Sequence, residues 1–256
     1  MTTCREPRPP GATTLIHATS TAAAIAGLYA ITPSDVHTDV LITSCDKLFQ
    51  GGVRLLQYRR KAISPALARH EAGALQTLAA AHGAALIIND DLALAISIGA
   101  SGVHWGREDL TRGTPLSAQI NAARQRAAVA GCPPGFVVGI SCYNDFDLAQ
   151  RADFAGADYI AFGSMFASST KPQAANAPIS LIARAKQTFG TPVVAIGGIT
   201  RDNAQRLLDA GVDALAVISD LFDADNDTER VARAKRFLEM FDRRTASGHH
   251  PGRLNP

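Results

Sequence analysis

The 256-residue chain lacks the marks of several large protein classes. It has four cysteines, Cys4, Cys45, Cys132 and Cys142, and no two of them form a C-x-x-C pair. A zinc ribbon or thioredoxin-like site is therefore unsupported, a disulfide framework is not expected, and a reducing, cytoplasmic setting is the default. No apolar run approaches the ~20 residues of a membrane-spanning helix, so no membrane partner is expected. An excess of one charge is also missing. Lys and Arg number 25 against 23 Asp and Glu, a formal net charge of +2. That balance excludes a global electrostatic case for nucleic acid and leaves room only for a local basic pocket. The N-terminus has no basic region followed by a continuous apolar core, so a signal peptide is not expected. Its Ser, Thr and Ala content with Arg5 and Arg8 faintly suggests a transit peptide, but a loose extension is the preferred reading.

What is present points to an ordinary globular protein. Hydrophobic residues make up 46% and charged residues 19%, enough for a large core without metal or disulfide support. Residues 1–26 read as a flexible N-terminal extension with a short helix near Ala22–Ala26, and 247–256 as a disordered tail. His249 and His250 in that tail are read as incidental rather than metal-binding. Residues 27–246 form the expected folded domain.

Within it, eight short apolar runs recur: Leu28–Thr32, Val53–Tyr58, Ala85–Ile88, Gly102–His104, Phe136–Ser141, Tyr159–Phe162, Val193–Ile196 and Ala214–Ile218. They are continuous rather than alternating, as strands covered on both faces should be. Longer helical patterns follow, among them Pro65–His82, Ser117–Ala130, Asp145–Ala155, Ile179–Phe189 and Arg201–Ala210. Gly83, Gly99, Gly131, Gly156, Gly190 and Gly211 stand where left-handed glycines close helices. The segments "IGASGVH", "AGADYIAFG" and "AGVDALAVIS" repeat one cadence of helix end, turn and strand. Eight such units predict a single α/β domain, a closed (β/α)8 TIM barrel. A doubly wound open sheet is the alternative; it seldom uses eight even units, and no G-x-G-x-x-G follows the first run.

In a barrel, chemistry gathers at the C-terminal ends of the strands. The second run is followed by Gln57-Tyr58-Arg59-Arg60-Lys61, a strong anion site if it is not merely a solvated basic turn. After the third come Asn89, Asp90 and Asp91. Asp91 suits a helix cap, which leaves Asp90 as the better Mg²⁺ ligand, with Asp109 after the fourth run as its partner. Ser141 follows the fifth run and suits either a ligand hydrogen bond or a cap; Cys142 has no activating partner in view. Ser168, Ser169, Thr170 and Lys171 form a loop that could close over a phosphorylated ligand, although an ordinary polar loop has the same composition. Gly197-Gly198 after the seventh run, with Ile218 and Ser219 after the eighth, fall where barrels often bind phosphate. His104 is expected to orient a neighbour or pack at the rim, and Trp105 to pack. The sum is one site for a diphosphate with Mg²⁺ and one for a monophosphate.

These residues resemble the thiamine-phosphate synthase family. The resemblance rests on "GLYAIT", "GGVRLLQYRRK", "LIINDDLALAISIGASGVHWGREDL", "GISCYN", "GADYIAFGSMFASSTKP" and "VVAIGGITRDNAQRLLDAGVDALAVIS", in the family's order. It implies a barrel transferase that joins 4-amino-2-methyl-5-(diphosphooxymethyl)pyrimidine to a thiazole phosphate, or its carboxylated form, releasing diphosphate. By motif, Gln57, Tyr58, Arg59, Arg60, Lys61, Asn89, Ser141 and Lys171 would serve the pyrimidine diphosphate. Arg59, Lys61, Ser141 and Lys171 would be the catalytic members of that set. Ser168, Ser169, Thr170, Gly198, Ile218 and Ser219 would hold the thiazole phosphate, and Asp90 and Asp109 would bind Mg²⁺. Partners would be small molecules, with a homo-oligomer left open. Four features depart from the family's common pattern: Tyr58 for Leu, Arg60 for Glu, Tyr143 for His, and Ser168-Ser169-Thr170 for Thr-Pro-Thr. Rival readings are a thiazole tautomerase of the same barrel group, which needs no diphosphate–Mg²⁺ site, and a non-enzymatic precursor-binding protein.

Overall fold

The structure, a computed structural model, describes residues 25–167 and 177–246. Eight strands, β1 (Gly27–Ile31), β2 (Leu55–Tyr58), β3 (Ala85–Asn89), β4 (Gly102–Trp105), β5 (Val137–Tyr143), β6 (Tyr159–Phe162), β7 (Val193–Ile196) and β8 (Ala214–Val217), pair in sequence order. Every pairing is parallel, and β8 returns to β1 to close the barrel. The helices are α1 (Thr38–Gln50), α2 (Pro65–Ala81), α3 (Leu92–Ser97), α4 (Leu116–Val129), α5 (Phe146–Phe154), α6 (Ile179–Thr188), α7 (Ala204–Asp209), α8 (Ser219–Phe222) and α9 (Asp227–Ala246). Among the described residues no helix is long and apolar enough to cross a membrane.

Strand side chains alternate between two cores, because successive residues point to opposite faces. Tyr29, Ile31, Leu55, Ile87, Val137, Tyr159, Ala161, Val194, Ala214 and Ala216 belong to the core inside the barrel. Leu28, Ala30, Leu56, Tyr58, Leu86, Ile88, Ile160 and Phe162 belong to the larger core between barrel and helices. Both faces are buried, which is why the runs read as continuously apolar. Two bulky rings, Tyr29 and Tyr159, share the interior with Ala161, Ala214 and Ala216, so large and small residues interdigitate.

The repeated Gly–small–Asp turns have one function at the opposite, N-terminal rim. Asp158 accepts from the Val138 amide at 2.7 Å, and Asp213 accepts from the Val193 amide at 2.7 Å. Each carboxylate thus ties the start of its own strand to the strand before it. Arg124 and Lys186 pair with these carboxylates at 2.8 and 2.7 Å.

Gly83, Gly99, Gly131, Gly156 and Gly211 have positive φ, as helix-closing glycines should. Gly190 does not share this geometry. Helix α6 ends instead with Phe189 in an extended conformation, its ring buried and stacked on Phe146 at 5.0 Å. Packing of that ring, rather than a left-handed turn, ends the helix.

Candidate active site

A cavity of about 550 Å³ opens at the C-terminal ends of the strands. The strand alternation decides which side chains enter it. Gln57 continues the inward row of β2 from Leu55, and Arg59 and Lys61 follow it into the cavity wall. Asn89 and Asp90 enter from the end of β3, and Ser141 from β5.

The same alternation turns Tyr58 and Arg60 away, which corrects their assignment to substrate binding. The Tyr58 hydroxyl donates to Glu71 of α2 at 2.8 Å. Arg60 grips both oxygens of that carboxylate, from Nε at 3.1 Å and Nη2 at 3.2 Å, and also donates to the Ser34 carbonyl. Thr38 adds a further donor at 2.7 Å. Glu71 is wholly buried and fully engaged. Burial and this carboxylate push the Tyr58 hydroxyl far above its ordinary pKa. The basic segment therefore presents two cations to the cavity, and its third neutralises a buried acid. Thr32 completes the anchoring: its hydroxyl accepts from the Arg59 amide at 2.8 Å and donates to the Arg59 carbonyl at 3.1 Å.

Asp90 has φ +64, a left-handed conformation that Asp tolerates better than most residues. Its amide donates to the His104 carbonyl at 2.8 Å and its carbonyl accepts from Trp105 Nε1 at 3.2 Å, so both sides of the turn are held. Trp105 is buried. Asp91 caps α3 by accepting from the Leu94 amide at 2.8 Å. Ala62 and Tyr143 also have positive φ, at 60° and 55°. Two of these strained residues, Asp90 and Tyr143, lie at strand ends and line the cavity, the pattern of a functional rim.

Asp90 meets Asp109. Burial first, then the charge and hydrogen bond of Asp109, push the Asp90 carboxyl up to about 6, while Lys61 and Arg59 pull it down. Asp109 also accepts from the Gly106 amide at 2.7 Å. Two carboxyls held this close, beside two cations, fit a divalent ion that would relieve their repulsion. Among the described residues no group of three or more His, Cys, Asp or Glu gathers as a metal cage. That sparse donor set suits Mg²⁺, which keeps waters and takes substrate oxygens. Cys142 is buried with its thiol pushed up to about 12, which removes it as a nucleophile.

Across the cavity, Gly198, Ile218 and Ser219 line the wall after β7 and β8. A Cβ on Gly198 would fall 2.4 Å from the Ala167 carbonyl oxygen, and its φ is +62. Glycine is therefore required by close chain approach at this point. Ser168, Ser169, Thr170 and Lys171 lie outside the described residues. Residues given no role from the sequence also matter here: Thr32, Glu71 and the interior tyrosines Tyr29 and Tyr159. Period-two alternation was the one sequence signal able to separate Tyr58 and Arg60 from their neighbours.

A closed parallel barrel with a polar cavity at its C-terminal rim defines the class, a (β/α)8 barrel enzyme. The profile of the family described as thiamine monophosphate synthase matches residues 28–221. A thiamine-phosphate synthase of Chromobacterium violaceum is 47% identical over 210 residues, covering 82% of this chain and 94% of the relative. Another, from Azoarcus sp. strain BH72, is 45% identical over 206 residues, covering 80% and 94%. A thiamine phosphate pyrophosphorylase structure from Pyrococcus furiosus superposes with a TM-score of 0.71 at 26% identity, covering 86% of this chain and 97% of that one. The chain belongs to the thiamine monophosphate synthase family, transferases of thiamine biosynthesis.

Proposed function

We propose that the chain joins 4-amino-2-methyl-5-(diphosphooxymethyl)pyrimidine to 4-methyl-5-(2-phosphooxyethyl)thiazole, or its carboxylated form, giving thiamine phosphate and diphosphate. The observation that carries this reading is the convergence of Arg59, Lys61 and Asp90 in one cavity, with Asp109 in contact with Asp90. Residues 27–246 would be the catalytic domain.

In this reading the bond between the pyrimidine methylene and the diphosphate oxygen breaks first, and its electron pair leaves with diphosphate. Arg59 and Lys61 stabilise the charge that grows there, as preorganised cations do best in a partly desolvated site. Gln57, Asn89 and Ser141 orient the pyrimidine. The thiazole nitrogen then donates its lone pair to the methylene cation, so no protein nucleophile is needed. Mg²⁺, held by Asp90 and Asp109, would supply further neutralisation of the leaving diphosphate. Gly198, Ile218 and Ser219 would hold the thiazole phosphate. Lys171, with Ser168, Ser169 and Thr170, is assigned to the diphosphate and thiazole sides by motif.

The test is to mix both substrates with Mg²⁺ and assay thiamine phosphate. Wild-type protein forms it, and Asp90→Ala, Lys61→Ala or Lys171→Ala lowers kcat by roughly 100-fold or more with the fold intact. Near-wild-type turnover in the variants overturns the site assignment. Isomerisation of the thiazole alone would show a tautomerase, and tight binding without product a binding protein.

A further inference from the structure

Beneath the cavity floor runs a chain of polar groups that begins at Gln57 and continues through three residues with no part in the chemistry above. The Gln57 amide nitrogen donates to the Tyr29 hydroxyl at 2.9 Å. The Tyr29 and Tyr159 hydroxyls lie 2.9 Å apart, and Tyr159 lies 2.9 Å from His104 Nδ1. Both tyrosines are buried, and the two ends, Gln57 and His104, line the cavity. The rings are locked together: Tyr29 meets Tyr159 edge-on at 5.9 Å, and His104 stacks on Tyr159 at 5.5 Å. Strand β5 makes room for this with Gly139, where a Cβ would fall 2.0 Å from Tyr159 Cζ.

Each phenol has one proton, and a buried donor needs an acceptor. The Tyr29 oxygen already accepts from Gln57. Among the described residues the acceptor within reach of its own proton is the Tyr159 oxygen. The Tyr159 proton then goes to His104 Nδ1, so the neutral imidazole carries its hydrogen on Nε2. The Gln57 nitrogen is engaged below, also within reach of Tyr159, which leaves Oε1 for a ligand. Reversing the proton order would require turning the Gln57 amide and moving every proton in the chain together. In either order the two ends have opposite polarity.

We propose that the Gln57–Tyr29–Tyr159–His104 relay determines ring specificity by holding Gln57 as acceptor and His104 as donor, a pair complementary to the edge of a 4-aminopyrimidine. The amino group would donate to Gln57 Oε1, and the adjacent ring nitrogen would accept from His104 Nε2–H. A 4-oxopyrimidine presents the reverse pattern and meets acceptor with acceptor and donor with donor. Tyr29 and Tyr159 are positioning residues, because they act through the two groups above them. This inference rests on the coupling reading and names how that site selects its ring.

The experiment measures calorimetric affinities of wild type, Tyr159→Phe and Tyr29→Phe for three probes: the aminopyrimidine diphosphate, its 4-oxo counterpart, and inorganic diphosphate. The wild type should prefer the amino ring by about 100-fold, since mispaired buried polar groups are strongly rejected. Either Phe variant keeps the ring packing but breaks the relay. Its preference should shrink about tenfold or more, through weaker binding of the amino ring, with inorganic diphosphate bound as before. Full discrimination in both variants, or equal loss of inorganic diphosphate binding, overturns the proposal. ¹⁵N NMR of labelled histidine in the wild type tests it without any variant: neutral His104 should be protonated on Nε2, and an Nδ1–H tautomer overturns it. Discrimination without thiamine phosphate formation would refute the coupling reading and leave the relay standing; coupling with a relay-independent preference would do the opposite.

Discussion

Glu71 shows how much one buried residue can organise. It accepts from Thr38, Tyr58 and Arg60, and it sits behind the segment that aims Arg59 and Lys61. Glu71→Ala would leave the buried Arg60 charge without its carboxylate and the Tyr58 hydroxyl without its acceptor, at a cost of about 3–5 kcal/mol. Denaturant unfolding should show that loss as a lower midpoint at unchanged slope. The combination Tyr58→Leu, Arg60→Met, Glu71→Leu should recover most of it, since a packed apolar cluster has no charge to strand. His104 supplies a pH signature. Burial, then the nearby Arg59 charge, lowers its pKa from 6.5 to about 4. A depressed pKa means the unfolded chain takes up the proton first. Stability from this residue is therefore fully present above pH 6.5 and is lost as pH falls through about 4. Unfolding of wild type and His104→Asn between pH 4 and 7 should give a difference that narrows by roughly 1–3 kcal/mol on the acid side. A pH-independent difference would contradict the assignment.

At the scale of elements, strands were legible because an apolar run covered on both faces differs from anything nearby. Runs six and seven coincide with β6 and β7, and most other edges shift by a residue or two. Which residues within a run face the cavity was harder to read. Composition marks Gln57 through Lys61 as polar throughout, yet the pleat divides them, and Tyr58 and Arg60 go to the helix layer. Glycines show the same divide between type and context. A methyl at Gly139 would collide with the Tyr159 ring, whereas at Gly190 nothing lies within 4 Å. Gly139→Ala should therefore lower Tm substantially, equivalent to about 2 kcal/mol or more, and Gly190→Ala should change it little. Calorimetric melts of the two variants side by side check this, and equal Tm values would refute the packing at β5.

For the whole molecule, closure matters most. Helix α9 packs on α1, β1, α7 and α8, across the seam where β8 returns to β1. Phe237 is its fully buried anchor. Phe237→Ala should cost about 3–5 kcal/mol in equilibrium unfolding, as large truncations in a close-packed core do. A loss below 1 kcal/mol would mean that the seam does not depend on this helix. The sequence by itself determined the eight-unit barrel, because periodicity is local and each unit carries its own strand, helix and turn. It also determined the residue types at the strand ends, and with them the family. Only the tertiary structure decided which of those residues share the cavity, because inward and outward directions follow from a pleat shared around a closed sheet. The contact of Asp90 with Asp109, the pairing of Arg60 with Glu71, and the chain from Gln57 to His104 all join residues distant in sequence. Distance and burial, rather than composition, give those groups their chemistry.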